Sequence, residues 1–181
     1  MLYLLDANVL IDANRDYYPI ERVPEFWEWL VDLAHNQKTK TPFEMYGEIM
    51  KGNRSKAKRS EGETINRKKD VLIEWLVKRR GTIVLDETVN RELINQVMMC
   101  YGSDLNDEEI RKIGRDPFLI AYALLDPEKR VVVTTEVSKP RRKRANRHIP
   151  DVCKDLKVRC CNTFEFIREL NFRTDWQSTS R

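Results

Sequence analysis

The chain opens on a short apolar run, Leu2-Tyr3-Leu4-Leu5, that ends on Asp6. Residues 3–5 have apolar neighbours on both sides, the pattern of a parallel strand covered by helices, and predict the first, central strand. Asp6-Ala7-Asn8 then turns the chain, and a polar, aromatic loop with Pro19 follows over 15–23. Over 24–34, Phe26, Trp27, Leu30, Val31 and Ala34 recur at helical spacing, with Pro24 near the first turn. A second helix is predicted over 41–51. Thr41, Pro42 and Glu44 read as N-cap, N1 and N3 of a capping box, and Gly52 reads as its stop. Residues 54–62 carry little apolar pattern and predict a loop or frayed helix. A long helix should run from 63 to 80 with Gly81 as its cap, then a short strand over 82–85 and a helix over 87–100 closed by Gly102.

Asn106 and Glu109 have the spacing of a short helix start that leads to Gly114. Asp116-Pro117 opens a helix that is apolar through Leu125, with Asp116 as N-cap and Pro117 at N1. A β-branched strand over 130–135 ends against Glu136. A helical turn starting at 149, a strand over 157–160 and a helix over 163–170 complete the pattern. Short apolar strands alternating with helices predict an α/β fold, three-layer α/β/α, around a central parallel sheet of about four to five strands. One domain over 1–170 is expected, with 171–181 as a loose tail.

Composition changes this picture little. At 181 residues, with 34% charged and 41% apolar positions, the chain fits a globular protein with a heavily charged surface. The four cysteines form no C-x-x-C pair and read as buried thiols of a reducing compartment. No basic leader or long apolar run is present, so the cytoplasm is expected and a membrane is not.

Four acids fall at element boundaries: Asp6 and Glu136 after strands, Glu48 on a helix, and Asp116 at a helix start. Ligands of open α/β sheets lie at the carboxyl ends of the strands, where Asp6 and Glu136 share one edge. A cluster of oxygen ligands is what Mg²⁺ or Mn²⁺ requires, and such a metal activates water without a Cys or His nucleophile. Each acid also has a structural reading. Asp116 before a proline is a good N-cap, Asp6 can make an Asx turn, Glu48 can be solvated, and Glu136 can pair with the basic loop after it. Net charge is +4, and two basic clusters stand out. Residues 51–69 hold eight Lys/Arg against two Glu, and 139–148 hold six: Lys139, Arg141, Arg142, Lys143, Arg144 and Arg147. Either can serve nucleic-acid phosphates, an acidic protein segment, or solvent alone.

In this order the acids resemble a PIN domain, the nuclease fold of VapC-type toxins. Asp6 with Asn8 matches the family's first acidic element, and Glu48-Ile-Met-Lys-Gly52 its helical Glu. Asp116-Pro-Phe-Leu-Ile-Ala-Tyr-Ala matches the acid that opens an Ala-rich helix. Val133-Thr134-Thr135-Glu136 matches the apolar strand ending Thr-x-Asp, with Glu where Asp is usual. The likeness runs from Met1 to about Leu170. It is nearest to a PIN-like subgroup with a basic insertion and an Ile-Pro-Asp-Val-Cys stretch before the last strand.

The resemblance implies a Mg²⁺- or Mn²⁺-dependent endoribonuclease, often the toxin of a toxin–antitoxin pair and commonly a homodimer. By position, Asp6, Glu48 and Asp116 are the implied metal ligands, and Glu136 is the fourth catalytic acid. Asp151 is the substitute if the longer side chain of Glu136 misplaces its carboxylate. Asn8 and Thr134 are implied to orient the acids. A structure-specific DNA nuclease fits the same fold. A non-catalytic nucleic-acid-binding module is the alternative from another class, and the Glu at 136 is its main support. A phosphatase with Asp6 as nucleophile is disfavoured, because Asn8 stands where a second Asp is required.

Overall fold

The computed structural model describes residues 1–59 and 70–179, with only the backbone of 52–59 and of 179. In chain order, β1 is Leu2–Leu5, α1 Ala7–Asp12, α2 Pro24–His35, β2 Thr39–Lys40 and α3 Phe43–Arg59. Next come α4 Val71–Ile83, α5 Arg91–Tyr101, α6 Asp107–Ile113, α7 Asp116–Leu124 and β3 Arg130–Val133. Last are α8 Ile149–Asp155, β4 Arg159–Cys161 and α9 Thr163–Glu169.

The strands form one parallel sheet in the order β2-β1-β3-β4. Helices cover both faces, so the fold is the three-layer α/β/α arrangement that the strand and helix pattern predicts. Leu4 and Val131 to Val133 are fully buried, as central parallel strands require. Tyr3 faces α9 and α2: its ring lies 5.3 Å from Phe166, which in turn lies 5.5 Å from Trp29. α7 packs on β1 and β3, with α5 and α8 beside it. Pro117, Leu119 to Ala123 are all buried, which explains why α7 is apolar nearly all round.

Several boundaries differ from the sequence expectation. Thr41 does not cap α3. Its backbone carries the sheet edge onward, bridging to Val84, with Thr41 N–H donating to Ile83 O and Leu85 N–H to Thr41 O. The Thr41 hydroxyl is buried without a hydrogen-bond partner, so the capping box is not formed. α3 runs through Gly52 to Arg59, so that glycine is no stop. α4 starts at Val71, where Asp70 accepts from Leu72 N–H and Ile73 N–H, and Gly81 lies inside it. The expected helix over 63–69 and most of the first basic cluster lie outside the described residues. The capping box of Asn106 and Glu109 is present as read. The expected loose tail is docked over 172–178: Phe172 packs against Phe26 and Trp29, and Trp176 Nε1 donates to Glu25 O. The four cysteines are free thiols; Cys153 and Cys161 are buried, Cys100 and Cys160 half-buried. Among the described residues, no helix is long and apolar enough to cross a membrane.

Candidate functional site

The strand order sets the site. From β1 the chain moves to β2 on one side, then crosses back to β3 on the other. The switch falls between β1 and β3, and crevices at such points, beyond the carboxyl ends of the strands, are where open α/β sheets bind ligands. Leu5 pairs with Val133, so the next residues, Asp6 and Thr134, leave the sheet side by side. Asp6 N–H donates to Val133 O at 2.9 Å, and Thr134 Oγ1 donates to Asp6 Oδ2 at 2.9 Å. Asp6 is 3% exposed and Thr134 1%. Asp6 precedes α1, and apart from the adjacent Ala7 N–H its carboxylate takes no capping hydrogen bond from that helix. The Asx reading therefore fails, and the carboxylate is held by Thr134 instead. Thr134 Oγ1 also accepts from Glu136 N–H at 3.2 Å, so one hydroxyl ties the two acidic positions together.

Asp116 opens α7, one residue later than the N-cap position expected for it; Arg115 takes that position. α7 lies across β1 and β3, which brings Asp116 over the same edge. Glu48 is exposed on α3, which packs against α1 and α7.

Two of the acids, Asp6 and Asp116, are raised by burial and by their acidic neighbours. Burial pushes the Asp6 carboxyl up to about 6; Glu48 and Glu136 add to the rise, and the Thr134 and Ala7 hydrogen bonds oppose it. Burial likewise pushes Asp116 up to about 8, with Asp6, Glu136 and Glu48 each adding to it. Buried carboxyls raised in this way resist ionisation unless a cation joins them. Their donor set, all oxygen and all anionic, fits a hard divalent ion such as Mg²⁺ or Mn²⁺. As the side chains stand, however, no three Asp, Glu, His or Cys among the described residues converge into a ready metal-binding group.

Glu136 is anchored: its Oε2 accepts from Ile149 N–H at 2.8 Å, at the start of α8. Asp151 has a different task. Ser138 Oγ donates to its Oδ1, and Lys139 N–H donates to its Oδ2 at 2.8 Å, so it pins the start of the basic loop. Those bonds hold the Asp151 carboxyl below its ordinary value, against its burial. Asn8 is exposed in the first turn of α1.

Asp116 and Glu136 line a cleft of about 310 Å³ together with Lys112, Arg142, Arg147 and His148. Of the six loop cations, Lys139, Arg141, Arg142 and Lys143 are exposed. Arg144 instead pairs with Glu109 and Asp104, and Arg147 donates to Cys100 O, Asp151 O and Asp155. These two hold the loop to α5, α6 and α8.

Two neighbours of the site escaped the sequence reading. Lys112 reaches the cleft from α6. Arg115 Nη1 donates to Glu44 O, crossing α3 at Gly47, where a Cβ would stand 2.8 Å from that nitrogen. Gly47 beside Glu48 was the available signal, since a glycine inside a helix marks a close approach.

One family model matches the chain, over residues 3–174, and is described as "Domain of unknown function (DUF4411)"; the chain belongs to that family. No curated protein matches it.

Proposed function

We propose that this member of the DUF4411 family is a Mg²⁺- or Mn²⁺-dependent endoribonuclease that hydrolyses RNA phosphodiester bonds, with Asp6, Glu48, Asp116 and Glu136 as its acidic centre. The observation that carries the reading is the placement of buried Asp6 and Asp116 at the switch point of the sheet, each raised by burial and by the nearby charges of Glu48 and Glu136. The order and type of these acids, which resemble those of PIN nucleases, supply the reaction class.

When bound, the divalent ion would supply an activated water and offset charge on the phosphoryl oxygens. Asp6, Asp116 and Glu48 would hold it, after a closing movement of their side chains. Thr134 keeps the Asp6 carboxylate oriented and favours its charged form. Glu136 keeps one oxygen on Ile149 N–H while its carboxyl lines the cleft beside Asp116. Lys112 and Arg142 at the cleft, with exposed Lys139, Arg141 and Lys143, attract the phosphate backbone and make binding fall with salt. A toxin role, an acidic antitoxin segment and a homodimer follow from the resemblance alone.

The test is incubation of a mixed RNA pool with the purified chain in Mn²⁺ or Mg²⁺, against EDTA and against Asp6→Asn. Cleavage that needs the metal and disappears in the variant is the expected result. Equal cleavage by wild type and variant contradicts the assignment of the centre. Salt-sensitive RNA binding with no cleavage in any metal would replace the enzyme with a binding module.

A further inference from the structure

Two exposed aromatic rings, Tyr17 and Phe164, meet beside the edge that carries the acids. Cys161, the last residue of β4, accepts from Thr134 N–H at 3.2 Å, so β4 ends level with the Asp6–Thr134 pair. Asn162 then caps α9, and Phe164 stands in the first turn, 48% exposed. Its partner arrives from β1. α1 leaves the sheet at Asp6 and passes into a π-helical turn, Ala13–Tyr17, closed by Tyr18 N–H donating to Ala13 O. Tyr17 ends that turn, 44% exposed, with its ring centroid 5.1 Å from that of Phe164 and the planes at 73°. The helical path from Ala7 to Tyr17 rises about 15 Å, and β1 to β4 is about 10 Å of sheet, so α1 is long enough to follow the edge across to α9. The backbone under Tyr17 is fixed: Tyr18 stacks on buried Phe26, and Tyr18 O accepts from Trp27 Nε1.

These features narrow the partner. Single exposed apolar residues need no explanation. A contacting pair of rings, one of them set outward by a π turn, is a different case, since such turns gather at functional sites. The charges around Tyr17 are already closed on one another, with Arg15 paired to Asp12 and Asp16. Arg168, one turn after Phe164 on the same face of α9, is exposed. A flat ring that carries a phosphate suits this set: the ring lies on an aromatic face and the phosphate meets Arg168. Duplex RNA keeps its base faces stacked inside the helix, and an unpaired strand offers them. Every base has such a face, so a platform of this kind tolerates sequence.

We propose that Tyr17 and Phe164 form a stacking platform for a base of single-stranded RNA held at the acidic edge, so that unpaired RNA is the substrate class. The proposal rests on the ribonuclease reading for its ligand, and adds to it the strand form that the site accepts.

The experiment is fluorescence anisotropy of the full chain, in EDTA, with a short labelled RNA of mixed sequence, the same strand in a duplex, and an abasic strand of equal length. Raised salt suppresses simple phosphate attraction. Wild type is expected to bind the single strand at least about five-fold more tightly than the duplex or the abasic strand, the low end for one base–aromatic stack. Tyr17→Ala and Phe164→Ala should each reduce that preference to less than about two-fold. Phe164→Trp should keep it, which separates stacking from folding. Equal affinity of wild type for the natural and abasic strands overturns the proposal, as does a preference that survives in both alanine variants. Light scattering that finds a dimer, broken by Phe164→Ala, with no base-dependent RNA binding, overturns it in favour of a contact between two copies of the chain. Metal-dependent RNA cleavage that ignores strand form and both alanine variants sinks the platform and leaves the nuclease reading. Base-dependent binding lost in the variants, without cleavage in any metal, upholds the platform and sinks the nuclease reading.

Discussion

Thr134 contributes one hydroxyl that serves two acids, donating to Asp6 and accepting from the Glu136 backbone. Thr134→Val keeps the shape of the side chain and removes both bonds. We expect it to remain folded and to lose about 10- to 100-fold in metal affinity or cleavage rate, the usual cost of losing a group that orients a ligand. A melting curve beside a cleavage assay separates the two effects. Asp116 makes a second prediction through proton linkage. Its folded-state pKa, about 8, lies above the ordinary 3.8, so the folded chain binds more protons between those values. Stability of the metal-free protein is therefore fully present on the acid side and falls as pH rises from about 4 to about 8. Because Asp116 titrates beside the raised Asp6, we expect the loss to be on the order of 3 kcal/mol. Asp116→Asn should flatten the slope. Urea unfolding at pH 5 and pH 8 measures it, and a stability that rises over that range would refute the coupling.

At the scale of elements, the acids and the loop divide the work. Asp151 receives Ser138 and Lys139 and fixes where the basic loop leaves the sheet. Asp151→Ala strands those donors, and about 1–3 kcal/mol of stability should go with it. Cleavage by the variant that refolds at low temperature should persist, whereas a catalytic Asp151 would abolish it outright. The end of the chain makes a further prediction: removing residues 171–181 takes Phe172 and Trp176 off α2. Denaturant unfolding should then show a loss of roughly 2–4 kcal/mol, the scale of losing packed aromatics; an unchanged midpoint would mean this segment is not docked in solution. Neither role was legible beforehand. Phe172 and Trp176 stand among polar residues with no period, so nothing local announces their contacts. Arg144 and Arg147 read as loop cations because their partners Glu109, Asp104 and Asp155 are distant in the chain or on another element. Thr41-Pro42-Phe43-Glu44 fits a capping box locally, but pairing of the Thr41 backbone with residues 83–85 decides otherwise. β2, two residues long, is too short to carry a pattern.

Over the whole molecule, what was legible is what one stretch of chain can encode. A strand ending on Asp6, an apolar helix opening on Asp116 and a strand ending before Glu136 each show a burial pattern with an acid at its margin. Their meeting depends on strand order. β1 beside β3 in parallel register sets Asp6 against Thr134, and α7 across both strands adds Asp116. Topology of that kind leaves no mark on local periodicity. The same edge carries the cationic cleft, where Lys112 and Arg142 stand beside Asp116 and Glu136. If Asp6, Glu48, Asp116 and Glu136 form a cation centre, the chain binds a divalent ion through them. Calorimetric titration of Mn²⁺ into the metal-free chain at pH 7.5, for wild type, Asp6→Asn and Asp116→Asn, tests that most directly. Saturable binding in the wild type, weakened at least about ten-fold in either variant, is the predicted result. No saturable heat in the wild type, or the same affinity in all three proteins, would contradict it.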